Sequence, residues 1–367
     1  MFTKNTVKAA SVIVTQEHIT RGKLHAVIAN SGNANACTGD AGLVSARRMA
    51  ELVADEFALS PGKVAVASTG VIGVPLPIAA IESGMEALGN SLQGDEAGHA
   101  TALEAIMTTD TRKKDASVEI DIDGKSVRIG GMIKGAGMVH PNMATMLCFI
   151  TTDAAIKSDI LDSVLRRAVK RTFNRVTVDG DTSTNDTVIV MANGEAGNEP
   201  IAAEGPSCEI FAKALEDLCA GLARSMAKDG EGATKLVTVT VRGAKNEDAA
   251  ETLAKSIASS SLVKAACFGA DANWGRILCA MGYSGADFNP GEVDVSFASG
   301  GTAGSVEEIT VCRAGASYAF SEADAKRILS REEIEIRVKA GSGNGSAVAW
   351  GCDLTYDYVK INGDYRS

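Results

Sequence analysis

Hydrophobic positions along the chain recur with two periods, one typical of helices and one typical of strands. In residues 43–57 the apolar side chains fall every three or four positions, which predicts an amphipathic helix. Residues 118–122 and 127–129 instead alternate between apolar and polar on either side of Asp123-Gly124, the strongest local hairpin signal in the chain. The chain therefore contains both helical and strand patterns.

The same periods predict most of the remaining elements. Further strands are predicted at residues 7–10, 12–15, 23–30, 64–67, 146–152, 188–191, 236–241, 293–296, 333–338, 347–354 and 359–361. Further helices are predicted at residues 78–88, 97–107, 158–168, 208–227, 248–256 and 322–329. Because strands alternate with helices but include an obvious hairpin, we expect an α/β chain with mixed sheets, not a doubly wound one.

Composition narrows the class of protein. The 367 residues could form two domains or one large one, and 45% hydrophobic with 22% charged residues is ordinary for a soluble globular protein. A net charge of −10 without any basic run argues against a nucleic-acid partner. No apolar run is long enough for a membrane span and no signal sequence opens the chain, so we expect a cytoplasmic protein without membrane association. The eight scattered cysteines are interpreted as core residues in a reducing compartment.

A candidate nucleophile lies where a glycine-rich loop meets a predicted strand. Residues 134–153 read K-G-A-G-M-V-H-P-N-M-A-T-M-L-C-F-I-T-T-D, and Gly135, Gly137 and Pro141 exclude a regular element in the first half. Thr145 directly precedes the apolar second half. A strand that fixes the side chain and a loop that leaves space before it suit a nucleophile.

Threonine needs a neighbouring base, and the chain has only four histidines. If the bond between Ala144 and Thr145 is cut, the freed α-amine of Thr145 can serve as that base. A Cys148–His140 pair is the alternative, but Cys148 stands in an apolar strand, where a thiol keeps its proton. His140 could line a pocket or only cap a turn.

The segment P-N-M-A-T-M-L, residues 141–147, resembles the self-cleavage motif of the ornithine acetyltransferase family, the glutamate N-acetyltransferases of arginine biosynthesis. The resemblance covers nearly the whole chain. It implies a layered α/β/β/α sandwich with mixed sheets, of the self-cleaving N-terminal-nucleophile type. It also implies two fragments, residues 1–144 and 145–367, which stay together and pair into an α2β2 heterotetramer. Family members commonly carry a few dozen residues before the segment similar to residues 1–10. We therefore expect that an early strand is missing here or that the start is differently placed.

The resemblance also assigns an oxyanion hole to Thr69 and Gly70, within S-T-G-V-I-G at residues 68–73. A hydroxyl and a backbone N–H can both donate to a developing oxyanion, and glycine lets the backbone approach closely. Taken alone, Thr-Gly after a strand is more often only a turn.

Substrate contacts implied by the resemblance are spread along the chain. A lysine just before the Gly-Ala-Gly turn suits a substrate carboxylate, and a glutamate in K-D-G-E-G suits a substrate amino group. Without the resemblance, Thr108 would be interpreted as part of a polar helix end and Glu231 as a surface charge. Asn362 and Ser367 would be interpreted as part of a frayed terminus. The implied substrate-binding residues are Thr108, Lys134, Thr145, Glu231, Asn362 and Ser367.

The implied reaction moves acetyl from N2-acetylornithine to glutamate through an acetyl-Thr145 enzyme, without a cofactor. Use of acetyl-CoA as well stays open. Two rivals are a hydrolase or aminopeptidase with the same nucleophile, and a non-enzymatic scaffold that stays in one piece. The acidic stretch of residues 177–186 lacks EF-hand spacing, so we expect no metal site there but a hydrogen-bonded turn that supports the site.

Overall fold

Helices and strands alternate through residues 1–20, 22–140, 146–300 and 306–364, which the computed structural model describes. The helices are α1 Ala10–Ile19, α2 Gly39–Glu56, α3 Ile78–Asn90, α4 Glu96–Ala105, α5 Ser158–Arg171, α6 Pro206–Lys228, α7 Glu247–Ser259, α8 Ser261–Phe268, α9 Trp274–Gly282, α10 Glu322–Leu329 and α11 Tyr356–Gly363. The strands are β1 Ala26–Asn30, β2 Val64–Ser68, β3 Asp115–Ile122, β4 Lys125–Lys134, β5 Leu147–Thr152, β6 Thr187–Ala192, β7 Leu236–Ala244, β8 Asp294–Gly300, β9 Val306–Arg313, β10 Ala316–Ser317, β11 Glu333–Lys339 and β12 Gly345–Cys352.

The chain folds into two compact units, each built from segments that are distant in sequence. The first unit contains Met1–Gly135, Asn142–Val169 and Thr182–Leu222. The second unit contains Ala136–Pro141, Lys170–Asp181 and Ala223–Ser367. None of the boundaries between the two units falls at the expected cleavage position, and that cleavage stays a prediction.

A four-stranded mixed sheet in the first unit brings three strand ends to one edge. Its order is β3-β4-β5-β6, with β5 and β6 parallel and the other pairs antiparallel. Lys134 at the end of β4 lies opposite Leu147 at the start of β5, which lies opposite Thr187 at the start of β6. The predicted hairpin joins β3 to β4, and Asp123 and Gly124 have φ of +53° and +78°, as its tight turn requires.

The first unit also holds a parallel pair, β1 and β2, covered by helices. Met49 and Val53 of α2 pack with Val14 of α1 and Val66 of β2 in one buried cluster. The strands predicted at residues 7–10 and 12–15 are wrong, because most of this stretch forms α1. Its β-branched residues favour a strand. However, Thr15 Oγ1 donates to the Val66 carbonyl and accepts from the Val66 N–H, both at 2.7 Å. Packing on β2 overrides local propensity here.

The second unit is organised around a six-stranded mixed sheet of order β10-β9-β8-β11-β7-β12. Strands β11 and β7 are parallel, and the other neighbours are antiparallel. Val239 of β7 and Ile336 of β11 belong to the same buried cluster as Ile257 of α7, Met281 of α9 and Ile328 of α10. Helices thus cover the apolar face of this sheet.

Four elements of the second unit escaped prediction and one was predicted wrongly. Helices α8 and α9 and strands β9 and β10 carry no clean period in the sequence. The strand predicted at residues 359–361 is wrong, since α11 covers them. Thr355 caps this helix, because its Oγ1 accepts a hydrogen bond from the Tyr358 N–H at 3.3 Å, and an exposed turn of helix needs no partner strand.

Both larger sheets are mixed, so the α/β class with mixed sheets is confirmed. Within the described ranges, a membrane-crossing helix of sufficient length and apolarity is not found.

Candidate active site

Thr69 follows the last residue of β2 in the first unit and is almost fully buried. Its N–H donates to the Asn30 carbonyl at 3.0 Å, which fixes the turn that leaves β2. Gly70 has φ of +132°, and a Cβ built on it would lie 2.2 Å from the Gly32 carbonyl carbon. Only glycine fits this position. No described residue accepts a hydrogen bond from the Gly70 N–H. A donor to an oxyanion must have no other acceptor, and the Gly70 N–H meets this requirement among the described residues.

Lys134 joins two of the predicted site hydroxyls. Its Nζ donates to Thr69 Oγ1 at 3.1 Å and to Thr108 Oγ1 at 2.7 Å. The lysine is 3% exposed. Three residues predicted from the sequence, at positions 69, 108 and 134, therefore meet in one cluster of the first unit, which we term the lysine cluster.

Asp110 completes the lysine cluster and was not predicted. Its Oδ1 accepts from the Gly135 N–H at 2.7 Å and from Lys114 Nζ at 2.6 Å. Burial alone would raise the pKa of this carboxyl, but the charges of Lys134 and Lys114, with hydrogen bonds from Lys114 and Gly135, hold its pKa below the ordinary value. The carboxylate is ionised at neutral pH. In the sequence, Asp110 is marked only by its place in T-T-D-T at residues 108–111, and this segment resembles any polar helix end.

Asp186 lies at the same sheet edge, where β5 and β6 begin. Its Oδ1 accepts from the Met146 N–H at 3.3 Å, and the Thr187 N–H donates to the Met146 carbonyl at 3.0 Å. Its Oδ2 is buried and has no hydrogen-bond partner among the described residues. Burial raises the pKa of this carboxyl well above its ordinary value. Asp186 thus holds the residue that directly follows Thr145.

Asn185 supports the turn that leaves β2 and was also not singled out. Its Nδ2 donates to the carbonyls of Ala34 and Ser68, both at 2.7 Å. Ser68 is the residue before Thr69. The stretch of residues 182–186 therefore acts as a supporting turn in the first unit. No group of three possible metal-binding His, Cys, Asp or Glu side chains occurs in the described part of the chain.

Glu231 and Asn362 meet in the second unit, although 131 positions separate them. Asn362 Nδ2, on α11, donates to Glu231 Oε2 at 2.8 Å. The Glu231 N–H donates to the Ala136 carbonyl at 2.9 Å, and a Cβ on Gly137 would lie 2.3 Å from the Glu231 carboxyl carbon. Glycine at 137 leaves room for this buried carboxylate.

Three predicted site residues, Ala144, Thr145 and Ser367, lie outside the described residues. Cys148 is fully buried in β5, and burial raises the pKa of its thiol well above the ordinary value, so it is no thiolate nucleophile. His140 Nδ1 lies 3.2 Å from Thr177 Oγ1, and burial followed by the charge of Lys255 lowers the pKa of His140.

Comparison with known proteins decides the family. A model described as the ArgJ family matches residues 1–367. The chain belongs to the ArgJ family. It is 50% identical over 367 residues to an "Arginine biosynthesis bifunctional protein ArgJ" of Symbiobacterium thermophilum, covering 100% of this chain and 89% of that one. It is 49% identical over 366 residues to ArgJ 1 of Clostridium acetobutylicum, covering 100% and 88%.

A crystal structure of ArgJ from Bacillus halodurans is similar to part of the chain, with 48% identity and a TM-score of 0.55. The similarity covers 59% of this chain and 97% of the solved one. The family and the fold class that the resemblance implied are thereby confirmed for this ArgJ chain.

Proposed function

We propose that the chain transfers an acetyl group from N2-acetylornithine to glutamate, through an acetyl ester on Thr145. The observation that carries the proposal is the meeting of the Thr69 and Thr108 hydroxyls at Lys134, beside a Gly70 N–H with no acceptor among the described residues. Membership of the ArgJ family supports arginine biosynthesis as the setting, since its relatives carry that term in their names.

Self-cleavage prepares the nucleophile. Thr145 Oγ attacks the Ala144 carbonyl carbon, the amide C–N bond breaks, and water then hydrolyses the resulting ester, which leaves a free α-amine on Thr145. The two expected fragments have 144 and 223 residues.

Acetyl transfer then proceeds in two halves. Thr145 Oγ attacks the acetyl carbonyl while its α-amine takes the hydroxyl proton, and Thr69 and Gly70 donate to the oxyanion. Collapse breaks the C–N bond, and ornithine leaves with that proton on its amine. The amine of glutamate attacks the ester in the same way, so that N-acetylglutamate leaves and Thr145 Oγ regains its proton.

The α-amine is favoured over His140 as the base. His140 Nδ1 is placed against Thr177 Oγ1, and its lowered pKa has a structural cause in burial. We expect His140→Ala to keep both cleavage and transfer, with an unchanged acidic limb in the pH profile. Loss of transfer in correctly cleaved His140→Ala protein would make the histidine the base.

Charge assigns the remaining contacts. Lys134 suits the carboxylate of an amino-acid substrate, and the Glu231–Asn362 pair suits an amino group. Thr108 and Ser367 are assigned as further substrate contacts. The two fragments stay together in a cytoplasmic α2β2 heterotetramer, and no step requires a cofactor.

Two measurements test the proposal together. Purified protein should run as fragments of 144 and 223 residues on a denaturing gel, and Thr145→Ala should run as one chain. Beyond a single turnover, ornithine should be released from N2-acetylornithine only when glutamate is present. Thr145→Ala should lower the rate of this release by about 10⁴-fold or more. Steady release into water without glutamate would indicate the hydrolase instead.

A second activity is favoured by the word "bifunctional" in the names of the relatives, which does not state the two functions. Synthesis of N-acetylglutamate from acetyl-CoA and glutamate is the candidate. Purified enzyme free of ornithine compounds should form N-acetylglutamate from acetyl-CoA if it holds, and form none if the chain only transfers from N2-acetylornithine.

A further inference from the structure

Asp110 is a buried carboxylate that faces two ammonium groups and two backbone donors. Its side chain is 0% exposed, and that of Lys114 is 1% exposed. Besides the Gly135 N–H and Lys114 at Oδ1, its Oδ2 accepts from the Thr108 N–H at 3.1 Å and lies 4.0 Å from Lys134 Nζ. A buried charge with so many partners is costly to remove from water, so its position calls for a role.

The two backbone bonds connect the segments that carry site residues. Thr108 belongs to the loop after α4, and Gly135 follows the last residue of β4. By accepting from both N–H groups, Asp110 ties this loop to the end of β4. The Thr108 hydroxyl and the Lys134 ammonium are thereby held at 2.7 Å.

The lysine in turn orients a hydroxyl. An ammonium group can only donate, so Thr69 Oγ1 accepts from Lys134, and the Thr69 hydroxyl hydrogen must point away from Nζ. That hydrogen is then available to the oxyanion. The positive charge next to Oγ1 also makes the hydroxyl a stronger donor.

We propose that Asp110 is a positioning residue of acetyl transfer, which holds Lys134 in the place from which it orients the Thr69 hydroxyl. This inference rests on the proposed function. Asp110 touches neither the acetyl group nor the nucleophile in this account, and it acts through Lys134. At 4.0 Å its effect on Lys134 comes from charge and from the placement of the two segments, not from a direct hydrogen bond.

Asp110→Asn tests the inference, because it keeps an oxygen acceptor and removes the charge. We expect kcat for ornithine release to fall about 10- to 100-fold, with a smaller change in KM for N2-acetylornithine. In Thr69→Val, kcat should fall about 100- to 1000-fold. If Asp110 acts through Thr69, adding Asp110→Asn to Thr69→Val should cost less than about threefold more. If Asp110→Asn lowers kcat by the same factor in wild-type protein and in Thr69→Val, the inference is overturned.

The matched control is Asp353→Asn in the second unit. Asp353 is also buried and accepts from the N–H groups of Thr234 and Lys235 at 2.8 and 2.9 Å. Its loss should lower thermal stability without lowering kcat in folded protein. A fall in kcat of the same size as in Asp110→Asn would mean that loss of any buried carboxylate harms the enzyme, and would overturn the inference.

A second variant covers the case in which Asp110→Asn does not fold. Asp110→Asn combined with Lys114→Met removes one charge of each sign, so no additional unpaired charge is buried. This double variant should fold and still show the reduced kcat, and a wild-type kcat would overturn the inference. If wild-type protein itself fails to cleave or to release ornithine, the proposed function fails instead, which separates the two outcomes.

Discussion

Lys134 can only donate, and this fixes the direction of the hydroxyl hydrogens that it contacts. Because Lys134 Nζ bonds both Thr69 Oγ1 and Thr108 Oγ1, neither hydroxyl can direct its own hydrogen at the lysine. In the proposed reaction, the Thr69 hydrogen and the Gly70 N–H are then the two donors to one acetyl oxygen. A preorganised pair of this kind stabilises negative charge without reorganisation during the reaction.

Gly70→Ala should damage both stability and transfer. The added Cβ combines a strained φ of +132° with a 2.2 Å approach to the Gly32 carbonyl carbon, so the turn must move. Gly73→Ala is the matched control, since Gly73 has φ of +81° and nothing within 4 Å of its Cβ. We expect Gly73→Ala to lose about 1–3 kcal/mol of unfolding free energy with transfer retained, and Gly70→Ala to lose more.

Thermal unfolding and ornithine release measure the two effects separately. If Gly70→Ala unfolds at the same temperature as Gly73→Ala and transfers at the wild-type rate, the close backbone approach described for Gly70 is wrong.

The sequence could place single residues only where a motif marks them. Thr69, Thr108 and Lys134 were predicted from the resemblance, and the structure brings them together, although their roles stay predictions. Asp110 and Asn185 were not found, because their importance comes from backbone groups of Gly135 and Ser68 that only the fold supplies. No periodicity in the sequence reports such contacts.

At the level of elements, the parallel strands β5 and β6 begin at one buried carboxyl. Asp186 accepts from the Met146 N–H, and burial raises its pKa well above 3.8. Between 3.8 and that raised pKa the folded protein binds more protons at this group than the unfolded chain does. Stability from this group therefore falls as the pH rises through that range.

Asp186→Asn should remove this slope, because an amide keeps the acceptor and cannot ionise. The free energy of unfolding of wild type, relative to the variant, should fall by about 1.4 kcal/mol per pH unit inside that range. Denaturant unfolding of both proteins from pH 5 upwards measures the difference. A flat difference between wild type and Asp186→Asn across this range would contradict the raised pKa of Asp186.

Elements with a clean period were predictable, and those shaped by packing were not. The helix predicted at residues 43–57 appears as α2, and the hairpin about Asp123-Gly124 joins β3 and β4. Helix α1 was missed because its β-branched residues favour a strand until Thr15 bonds β2. Helix α11 was missed because it is short and its cap, Thr355, is not obvious in the sequence.

Considered as a whole molecule, the chain is suited to remain folded after the proposed cleavage. Strand β4 precedes the expected cut and β5 follows it, and the two strands pair along six positions from Ile129–Thr152 to Lys134–Leu147. The four-stranded sheet of the first unit therefore contains strands from both proposed fragments. Backbone pairing within that sheet would keep the fragments together after the bond is cut.

The most direct test follows the acetyl group on the C-terminal fragment by intact mass spectrometry. After incubation with N2-acetylornithine alone, the 223-residue fragment that begins at Thr145 should gain the mass of one acetyl group, and one equivalent of ornithine should appear. Adding glutamate should remove that mass and yield N-acetylglutamate. A chain that remains 367 residues long, or a cleaved fragment that never carries acetyl while ornithine is released, would contradict the account.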